Sequence, residues 1–519
     1  MSSPVPNTCS KSIPPKRPAT APDRQLARNG PVSSQRRLDR LAFLQGCLLL
    51  FLAGLGLASM SGLIDTSDSV FSASWLLTII AVWHFYSWRL AGQTLFEPYG
   101  LFLLAATLFN AGQGILEALH LNEDGILSAE DLSPALIVQA LYLVALGLAS
   151  LHFGALVALA TGRAKRLRQT PPAPDWRLRR VAATRLVGYA CLVLSVAPLF
   201  FVLQDALTIA FTQGYAALFG RPLSELLPSS VQILANFVMP GAMFAIAGSN
   251  RKKVPVAVGS AFLLVYAGSM LAVGSRSATV MSLVAFAWTY NHWVRRLPRG
   301  AILAAGAILL ATFPLIHAIR DTPGSWQNSS EVLQDVVSEQ NPLIAAVSEM
   351  GGTLKTVAHT IRLIPSVRPF DLGTSYAYAA STILPNVGWQ IHPANAHGLL
   401  ADWLVWAVRP AMALVGGGLG FSFLAEAYAN FGWFGLIPTV ALMGYFMARL
   451  SVWGTSDDDP AKFALNATFL AFVLFFPRQE SASFVRGLAW YSFLPYAAVS
   501  LIAERRSQRR RLVMNTAAA

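Results

Sequence analysis

Apolar runs that are about as long as a bilayer is thick dominate this chain. A helix needs about 20 residues to cross the hydrocarbon core, where its backbone hydrogen bonds must be satisfied within the segment. The sequence therefore predicts an all-α polytopic membrane protein. The runs indicate about 12 transmembrane helices, at residues 41–62, 72–90, 99–121, 134–161, 186–206, 230–248, 254–274, 278–294, 301–319, 433–452, 463–477 and 488–503.

The charge distribution favours membrane insertion over nucleic-acid binding. The chain is 54% hydrophobic and only 13% charged, and its net charge of +13 comes from short basic clusters between the apolar runs. Such clusters are typical of the cytoplasmic connections of membrane proteins. We therefore expect the lipid bilayer as a partner, and no nucleic acid.

Basic clusters fall in every second connection, and this alternation predicts the topology. Basic residues precede the first run, follow the fourth, sixth and eighth runs, and end the chain. The connection Asn122–Asp131, by contrast, carries four acidic residues. Both termini are therefore predicted to be cytoplasmic.

The predicted organisation has five parts, and its longest connection is large enough to fold on its own. Loops of that length are often functional, so function is expected there. The tail before the first run lacks apolar periodicity and is expected to be disordered. The parts are a basic cytoplasmic tail at 1–40, helices 1–9 at 41–319, a large external loop with amphipathic or re-entrant helices at 320–432, helices 10–12 at 433–504, and a basic cytoplasmic tail at 505–519.

Nine of the 39 Lys and Arg residues fall on the opposite side of the membrane from the two tails. Because positive charge is disfavoured in external segments, this group indicates an anionic substrate outside the cytoplasm. The nine are Arg221, Arg276, Arg320, Lys355, Arg362, Arg368, Arg409, Arg478 and Arg486.

Three potential cations share one face of a predicted helix in the long loop. Glu331–Gln340 and Pro342–Ile364 are predicted to be separate helices, because proline disfavours a helical conformation in the residue before it. In the second helix, Lys355, His359 and Arg362 follow the spacing i, i+4, i+7. This stripe either faces water and lipid headgroups or contacts a pyrophosphate or an acidic sugar.

A glycine cluster, Gly416–Gly420, precedes an apolar segment that carries a single carboxylate, Glu426. An ionisable side chain at membrane depth is costly, which indicates a functional role. Glu426 could instead pair with an arginine and hold the helices together. The glycines could serve close helix packing, since Gly416 and Gly420 have the G-x-x-x-G spacing.

The remaining candidates lie between the loop helix and the last run. His392 and His397 are five residues apart in an irregular segment, but no third ligand has a suitable spacing, so no metal site is predicted. Leu399–Val408 is predicted to be a short interfacial helix, since tryptophan prefers the headgroup region. Four further arginines lie at predicted helix ends: Arg276, Arg320, Arg478 and Arg486. They either bind anions or extend their charged groups to the membrane–water interface.

The order of features over residues 268–504 resembles the O-antigen polysaccharide polymerases, the Wzy-type oligosaccharide repeat-unit polymerases of bacterial envelopes. Gly-Ser-Arg enters a helix at 274–276, and Ser-Glu-Met-Gly-Gly opens the loop helix at 348–352. Leu-Pro-Asn at 384–386, the glycine-bounded stretch at 420–432 and an Arg-rich terminal hairpin follow.

This resemblance implies a multi-span glycosyltransferase of the bacterial inner membrane that uses a lipid-linked donor. It would move the growing glycan from undecaprenyl pyrophosphate to a second lipid-linked repeat unit at the periplasmic face, making O-antigen or a related surface polysaccharide. No cofactor is expected, because the diphosphate leaving group already carries negative charge and needs only cations beside it. A chain-length regulator and a flippase of the same pathway are candidate partners.

Within this hypothesis, one base accepts the proton of the acceptor hydroxyl, and cations hold the diphosphate or an acidic glycan. The candidate bases are Glu349, His397 and Glu426. The candidate substrate-binding residues are Arg276, Arg320, Lys355, His359, Arg362, Arg409, Arg478 and Arg486.

Two other functions stay open at this point. An O-antigen ligase would use the same donor and a large external loop, but would deliver the glycan to the lipid A core. A transporter or flippase of anionic lipid-linked glycans would place its arginines along the helices. Most of the cations here lie at the external ends instead, and no inverted repeat is visible.

Overall fold

The structure is a computed structural model that describes residues 31–61, 69–122, 125–127, 130–166, 176–215, 217–220, 229–321, 341–384, 386 and 389–505. Within these ranges the chain is helical and contains no strand, which confirms the predicted all-α class. Most of the two predicted tails, at 1–30 and 506–519, lies outside the described residues. The first helix begins at Pro31, so residues 31–40 are helical rather than part of a disordered tail.

Each predicted apolar run coincides with helical structure. Single helical turns occur at Ala217–Gly220, Pro393–His397 and Pro410–Leu414. The longer helices are α1 (Pro31–Met60), α2 (Ser69–Leu90), α3 (Pro98–Ala118), α4 (Pro134–Arg166), α5 (Trp176–Gln213), α6 (Ser229–Ala235), α7 (Val238–Ala247), α8 (Lys253–Val273), α9 (Arg276–Thr289), α10 (Arg299–Asp321), α11 (Pro342–Gly351), α12 (Leu354–Leu363), α13 (Thr374–Ser381), α14 (Leu400–Val408), α15 (Phe423–Ser456), α16 (Pro460–Val473) and α17 (Ser481–Gly487).

Nine of the described helical segments are long and apolar enough to cross a membrane. The predicted runs at 278–294 and 488–503, which contain π-helical turns, are not among them. The run at 301–319 is found only as a shorter apolar helix over Arg299–Thr312, because most side chains from 313 onwards lie outside the described residues. The number 12 therefore stays a prediction. The nine segments are Ser34–Met60, Ser69–Leu90, Pro98–Ala118, Pro134–Gly162, Trp176–Gln213, Ser230–Ala247, Lys253–Val273, Phe423–Ser456 and Pro460–Arg478.

Helices α4 and α15 form a close contact in the core, because both carry glycine where they meet. A Cβ atom at Gly154 would fall 1.8 Å from the carbonyl oxygen of Ala441. One at Gly444 would fall 1.9 Å from that of Leu151. Without a hydrophobic driving force between helices in lipid, such small residues stabilise the packing by allowing close van der Waals contact.

The connections gather at two opposite ends of the bundle. At one end, Arg180 forms an ion pair with Asp459 at 2.9 Å, and His292 lies 3.9 Å from Glu97. Arg180 also donates a hydrogen bond to Ser500 at 3.0 Å. All of these residues fall in or beside connections predicted to be cytoplasmic, so the contacts agree with the predicted alternation of loops.

The opposite end, the loop end, holds the segments predicted to be external. Here the side chain of Gln113 on α3 donates hydrogen bonds to the carbonyl and hydroxyl oxygens of Ser348 on α11, at 3.0 and 2.9 Å. The Asn110 amide donates to the carbonyl of Pro477 at 3.2 Å. The predicted external segments therefore share one end of the bundle.

The first described helices of the long loop, α11 and α12, replace one predicted helix over Pro342–Ile364. Its start agrees with expectation: the Asn341 side chain accepts a hydrogen bond from the Leu343 amide and caps α11. The prediction is wrong in the middle, where α11 ends at Gly351 and α12 begins at Leu354. A Cβ atom at Gly351 would fall 2.3 Å from the backbone nitrogen of Gln113, so α11 contacts the α3 backbone at the bend. The predicted helix Glu331–Gln340 lies outside the described residues.

Candidate active site at the loop end

Arg276 and Glu349 form a two-pronged ion pair at the loop end. Arg276 is the first residue of α9 and follows a turn in which Gly274 has a left-handed φ of 91°. Its Nη1 and Nη2 atoms donate to the two carboxylate oxygens of Glu349 at 2.6 and 2.5 Å. The arginine side chain is 11% exposed and the glutamate 27%. The carboxylate is therefore partly accessible from outside.

A second cluster surrounds Glu130, which precedes α4. Three cationic or potentially cationic groups contact its carboxylate: Lys355 Nζ at 3.4 Å, His359 Nε2 at 3.2 Å and Arg409 Nη2 at 2.9 Å. The Glu130 side chain is only 5% exposed. Arg362, the third member of the predicted stripe, is exposed and reaches the carbonyl of Asp131 at 3.5 Å. The basic stripe therefore meets an acidic connection of the same chain.

The Glu130 cluster fixes the ionisation of its members. Burial tends to raise the pKa of Glu130, but the hydrogen bond from His359 and the charges of Lys355 and Arg409 outweigh it, so the pKa lies below its usual value. Burial also lowers the pKa of His359 below 6.5, against the opposing hydrogen bond to Glu130. His359 is thus neutral near pH 7 and donates its Nε2–H to the carboxylate.

We expect this cluster to make the fold sensitive to acid. For both groups the pKa is lower in the folded state than in the unfolded chain, so the unfolded chain binds more protons as the pH falls. The contribution of His359 to stability is present above pH 6.5 and decreases below it, and that of Glu130 decreases further below pH 4.5. In detergent, the unfolding temperature should fall between pH 7.5 and 5.5.

The variant His359→Gln provides the control, because glutamine can donate to Glu130 but does not titrate. Its unfolding temperature should change less with pH than that of the wild type over the same range. Equal slopes for the two proteins would contradict the role given to His359.

Glu426 is enclosed by hydrogen-bond donors near the start of α15. Its carboxylate accepts hydrogen bonds from the Ser375 hydroxyl at 3.0 Å and from the Ser481 amide and hydroxyl at 2.8 and 2.7 Å. The residue is fully buried. Asn430, one turn later, donates to Ser375 and accepts from the Gly373 amide, both at 2.8 Å. Glu426 thus ties α15 to α13 and α17, and this favours a structural role.

The substitution Glu426→Gln should therefore destabilise the protein. An amide cannot accept all three hydrogen bonds, and a lost hydrogen bond to a buried charge costs about 1.5–3 kcal/mol. We expect less protein in the membrane and a lower unfolding temperature in detergent. Ser483→Ala, at an exposed serine two residues beyond Ser481, is the control and should leave both unchanged. Normal abundance and normal melting of Glu426→Gln, with no polymer, would instead identify Glu426 as the catalytic base.

The last turn at the loop end brings together the predicted Arg478 and a buried carboxylate, Glu480. The Glu480 carboxylate is 3% exposed and accepts hydrogen bonds from the Leu400 and Ala401 amides at 2.9 and 3.0 Å. It therefore caps the N-terminus of α14, while burial raises its pKa. Arg478 packs against Gly420, where a Cβ atom would fall 2.9 Å from Arg478 Nε.

The glycine cluster before α15 forms a turn and does not serve helix packing. Gly416 and Gly420 have φ values of 75° and 73°, which favour glycine and are incompatible with a helical G-x-x-x-G contact. The predicted packing role is therefore wrong for this pair. Space for the Arg478 side chain is a second reason for glycine at 420.

The other candidates are dispersed over the loop end. The His397 ring stacks on Tyr378 with 4.2 Å between ring centroids. Arg486 donates from Nε to the carbonyl of Thr382 at 3.0 Å. Arg320 belongs to α10, but its side chain lies outside the described residues. Sequence patterns therefore found the cations, and the structure places them in separate groups around Glu349, Glu130 and Thr382.

Two partners could not be found by pattern alone. Glu130 looks like one of four ordinary acidic residues of a short connection, and only tertiary contact shows that it meets α12. Ser481, which donates twice to Glu426, carries no signal in the sequence. Among the described residues, no three His, Cys, Asp or Glu side chains converge to hold a metal ion.

The helices and this basic end define the class of the chain as an all-α polytopic membrane protein. The sequence profile of the O-antigen polysaccharide polymerase Wzy family matches residues 42–510, nearly the whole chain. The chain therefore belongs to the O-antigen polysaccharide polymerase Wzy family. No curated protein and no solved structure matches it significantly. Family membership gives it the general activity of a glycosyltransferase-type polymerase of lipid-linked O-antigen repeat units, in the bacterial inner membrane.

Proposed function

We propose that the chain joins undecaprenyl pyrophosphate-linked repeat units at the periplasmic face, and that Arg276 and Glu349 form the reaction site. The observation that carries this proposal is their ion pair, at 2.6 and 2.5 Å, beside the cationic α12 at the loop end. Glu349 and Lys355 are six residues apart, so their Cα atoms lie within about 20 Å of each other. A glycan that extends from a diphosphate at Arg276 would thus reach further positive charge.

In this proposal, Arg276 changes partner during the reaction. The donor diphosphate binds the guanidinium group, since arginine binds phosphate with two parallel hydrogen bonds as it binds a carboxylate. The Glu349 carboxylate, released by Arg276, then accepts a proton. The acceptor hydroxyl oxygen bonds to the anomeric carbon of the donor glycan while the bond from that carbon to the diphosphate breaks. The electron pair of the broken bond stays on the diphosphate oxygen, and the hydroxyl proton passes to Glu349.

Glu349 is favoured over the other two candidate bases by its surroundings. Its side chain is 27% exposed, whereas Glu426 is fully buried and its oxygens already accept hydrogen bonds from two serines. His397 lies face to face with Tyr378, on a different segment from the arginine pair. A base must come within hydrogen-bond reach of the acceptor, and only Glu349 combines access with a neighbouring arginine.

The remaining cations bind the anionic substrate around this centre. Arg362 is exposed, and Lys355 and Arg409 are partly exposed while they contact Glu130. A polyanion bound above α12 would meet all three, because each of these side chains stays at least partly exposed. We assign Arg320, His359, Arg478 and Arg486 to supporting positions around the substrate, and we expect no metal to take part.

The same proposal fixes the topology and the partners. Both termini are cytoplasmic, the loop at 320–432 is periplasmic, and helices 1–9 and 10–12 flank it. The break at Gly432, with φ 63° and ψ −162° inside α15, supports a boundary there. A flippase supplies the substrate and a chain-length regulator limits the product. Reporter fusions within 341–384 should report a periplasmic position, and cytoplasmic signals from them would overturn the orientation.

Glycan banding in a deletion strain tests the function. Loss of a polymerase leaves single repeat units attached to the lipid A core, whereas loss of a ligase leaves none. Loss of a flippase also removes all of them. We expect single-unit bands in the deletion strain, and restoration of the long ladder by the wild-type chain. A strain without any repeat unit on its core lipid would favour the alternatives.

A further inference from the structure

A cavity of about 300 Å³ opens at the loop end, and neither Arg276 nor Glu349 lines it. Its walls come from α6, the segment that follows α13, and the π-helical turn Leu488–Phe493 that follows α17. This volume lies at the lower end of the range for small-ligand sites. π-helical turns occur often at functional sites, so the turn in this wall favours a functional role for the cavity. The polar and aromatic lining residues include Ser230, Asn386, His392, Asn395, Arg486 and Trp490.

The cavity presents polar groups that are not used by the fold. Asn386 and Asn395 are exposed at the cavity, and their side-chain amides form no hydrogen bond with another described residue. Arg486 is held by its Nε–H bond to the Thr382 carbonyl, and no other partner of its guanidinium group occurs among these residues. Two amides supply both donors and acceptors, and the guanidinium supplies further donors. Such a set matches a ligand with several hydroxyl groups.

An aromatic wall completes the cavity. The indole N–H of Trp490 donates to the Ile383 carbonyl at 2.8 Å, which fixes the ring in place. His392 is fixed as well, because its Nδ1 accepts from the Ala394 amide at 3.2 Å and its Nε2 lies 3.3 Å from the Leu384 carbonyl. An immobile tryptophan offers a flat apolar surface at little cost in entropy. The C–H face of a pyranose ring packs on such a surface while its hydroxyls reach the amides.

We propose that this cavity is a sugar subsite that binds one pyranose unit of the glycan. The proposal rests on the proposed function, since it assumes a glycan substrate, but it adds a site and residues that the diphosphate chemistry does not require. A single arginine beside two amides suits a neutral sugar or one with a single carboxylate. The diphosphate, with more charge, goes to the cations near Arg276 and α12. Substrate recognition is therefore divided between two places on the loop end.

Binding of a free oligosaccharide tests the proposal without any need for catalysis. The probe is the repeat-unit oligosaccharide released by mild acid from the undecaprenyl pyrophosphate-linked unit of the same cells, because cleavage of its anomeric phosphate bond leaves a free sugar chain without lipid or phosphate. Titrated into the full-length protein in detergent, it should bind saturably in calorimetry. Asn395→Ala should weaken binding at least tenfold, because it removes ligand contacts but no hydrogen bond of the fold. Trp490→Ala should do the same.

The controls separate this site from the reaction centre. Trp406→Ala, at an exposed tryptophan of α14 outside the cavity, should bind like the wild type. Arg276→Glu should also bind the free oligosaccharide normally. Because Trp490→Ala loses the hydrogen bond to Ile383, the unfolding temperature of this variant is measured first. If Trp490→Ala does not fold, the binding of Asn395→Ala alone tests the subsite.

Absence of binding to the wild type, or equal binding by wild type and Asn395→Ala, overturns the sugar subsite. Neither result bears on the polymerase proposal, which is tested separately by glycan banding in the deletion strain and by polymer formation. Conversely, a ligase or transporter that bound the oligosaccharide through Asn395 would keep the subsite and remove the polymerase.

Discussion

Cells that carry Arg276→Glu should make no long-chain glycan while keeping normal amounts of the protein in the membrane. The reversal removes the guanidinium that would hold the diphosphate and places a negative charge beside it. Loss of a single donor to developing negative charge slows enzymes about 10²–10³-fold. Reversal should therefore reduce polymer synthesis at least about 100-fold, as seen on gels of lipopolysaccharide and in membrane immunoblots.

A matched control separates catalysis from simple loss of an ion pair. Arg368→Glu also breaks an arginine–carboxylate pair at the loop end, because Arg368 contacts Asp371 at 3.0 Å and lies over the Trp403 ring. It should keep its polymer. The double variant Arg276→Glu with Glu349→Arg restores an ion pair with the charges exchanged, and it should fold and stay inactive. Recovery of polymer in this double variant would show that the pair is only structural.

Glu349→Gln is expected to abolish polymerisation with little effect on the fold. Glutamine keeps the shape and can still accept a hydrogen bond from Arg276, but it cannot take the proton of the acceptor hydroxyl. Removal of a general base lowers rates about 10²–10⁴-fold. The weakened contact with Arg276 costs about 1–2 kcal/mol, because the acceptor is no longer charged.

The turnover of a lipid-linked repeat unit by the purified variant measures this effect. Glu117→Gln serves as the control, since Glu117 is another loop-end glutamate, whose carboxylate accepts a hydrogen bond from Asn122 at 3.2 Å. It should turn over the substrate like the wild type. If Glu349→Gln retained more than a tenth of the wild-type rate, Glu349 could not be the base.

Much of the fold is predictable from the sequence, because length and hydropathy determine where helices can cross a bilayer. The apolar runs coincide with helices among the described residues, and contacts such as the Arg180–Asp459 ion pair agree with the alternation of basic connections. The break between α11 and α12 falls at Gly351–Gly352, a pair that destabilises a helix locally, whereas the close contact of Gly351 with the α3 backbone at Gln113 is visible only in the structure. A limit of this kind applies to Gly416 and Gly420, whose spacing suits helix packing but whose positive φ values place them outside any helix.

The site was predictable as a set of residue types, not as a set of pairs. Arg276 and Glu349 were each identified as candidates, but their ion pair joins positions 73 residues apart. The spacing of Lys355 and His359 predicted a shared face correctly, and the carboxylate on that face, Glu130, lies more than 200 positions earlier. Local periodicity cannot predict such contacts, because they depend on how α4 and α12 pack.

The central claim is that this chain alone forms glycosidic bonds between lipid-linked repeat units. The full-length protein in lipid nanodiscs is supplied with the undecaprenyl pyrophosphate-linked repeat unit and with no nucleotide sugar, and the products are separated by size. The account predicts a ladder of lengthened glycans, with free undecaprenyl pyrophosphate released at each step. An unchanged substrate, or a new product only after lipid A core is added, would contradict it.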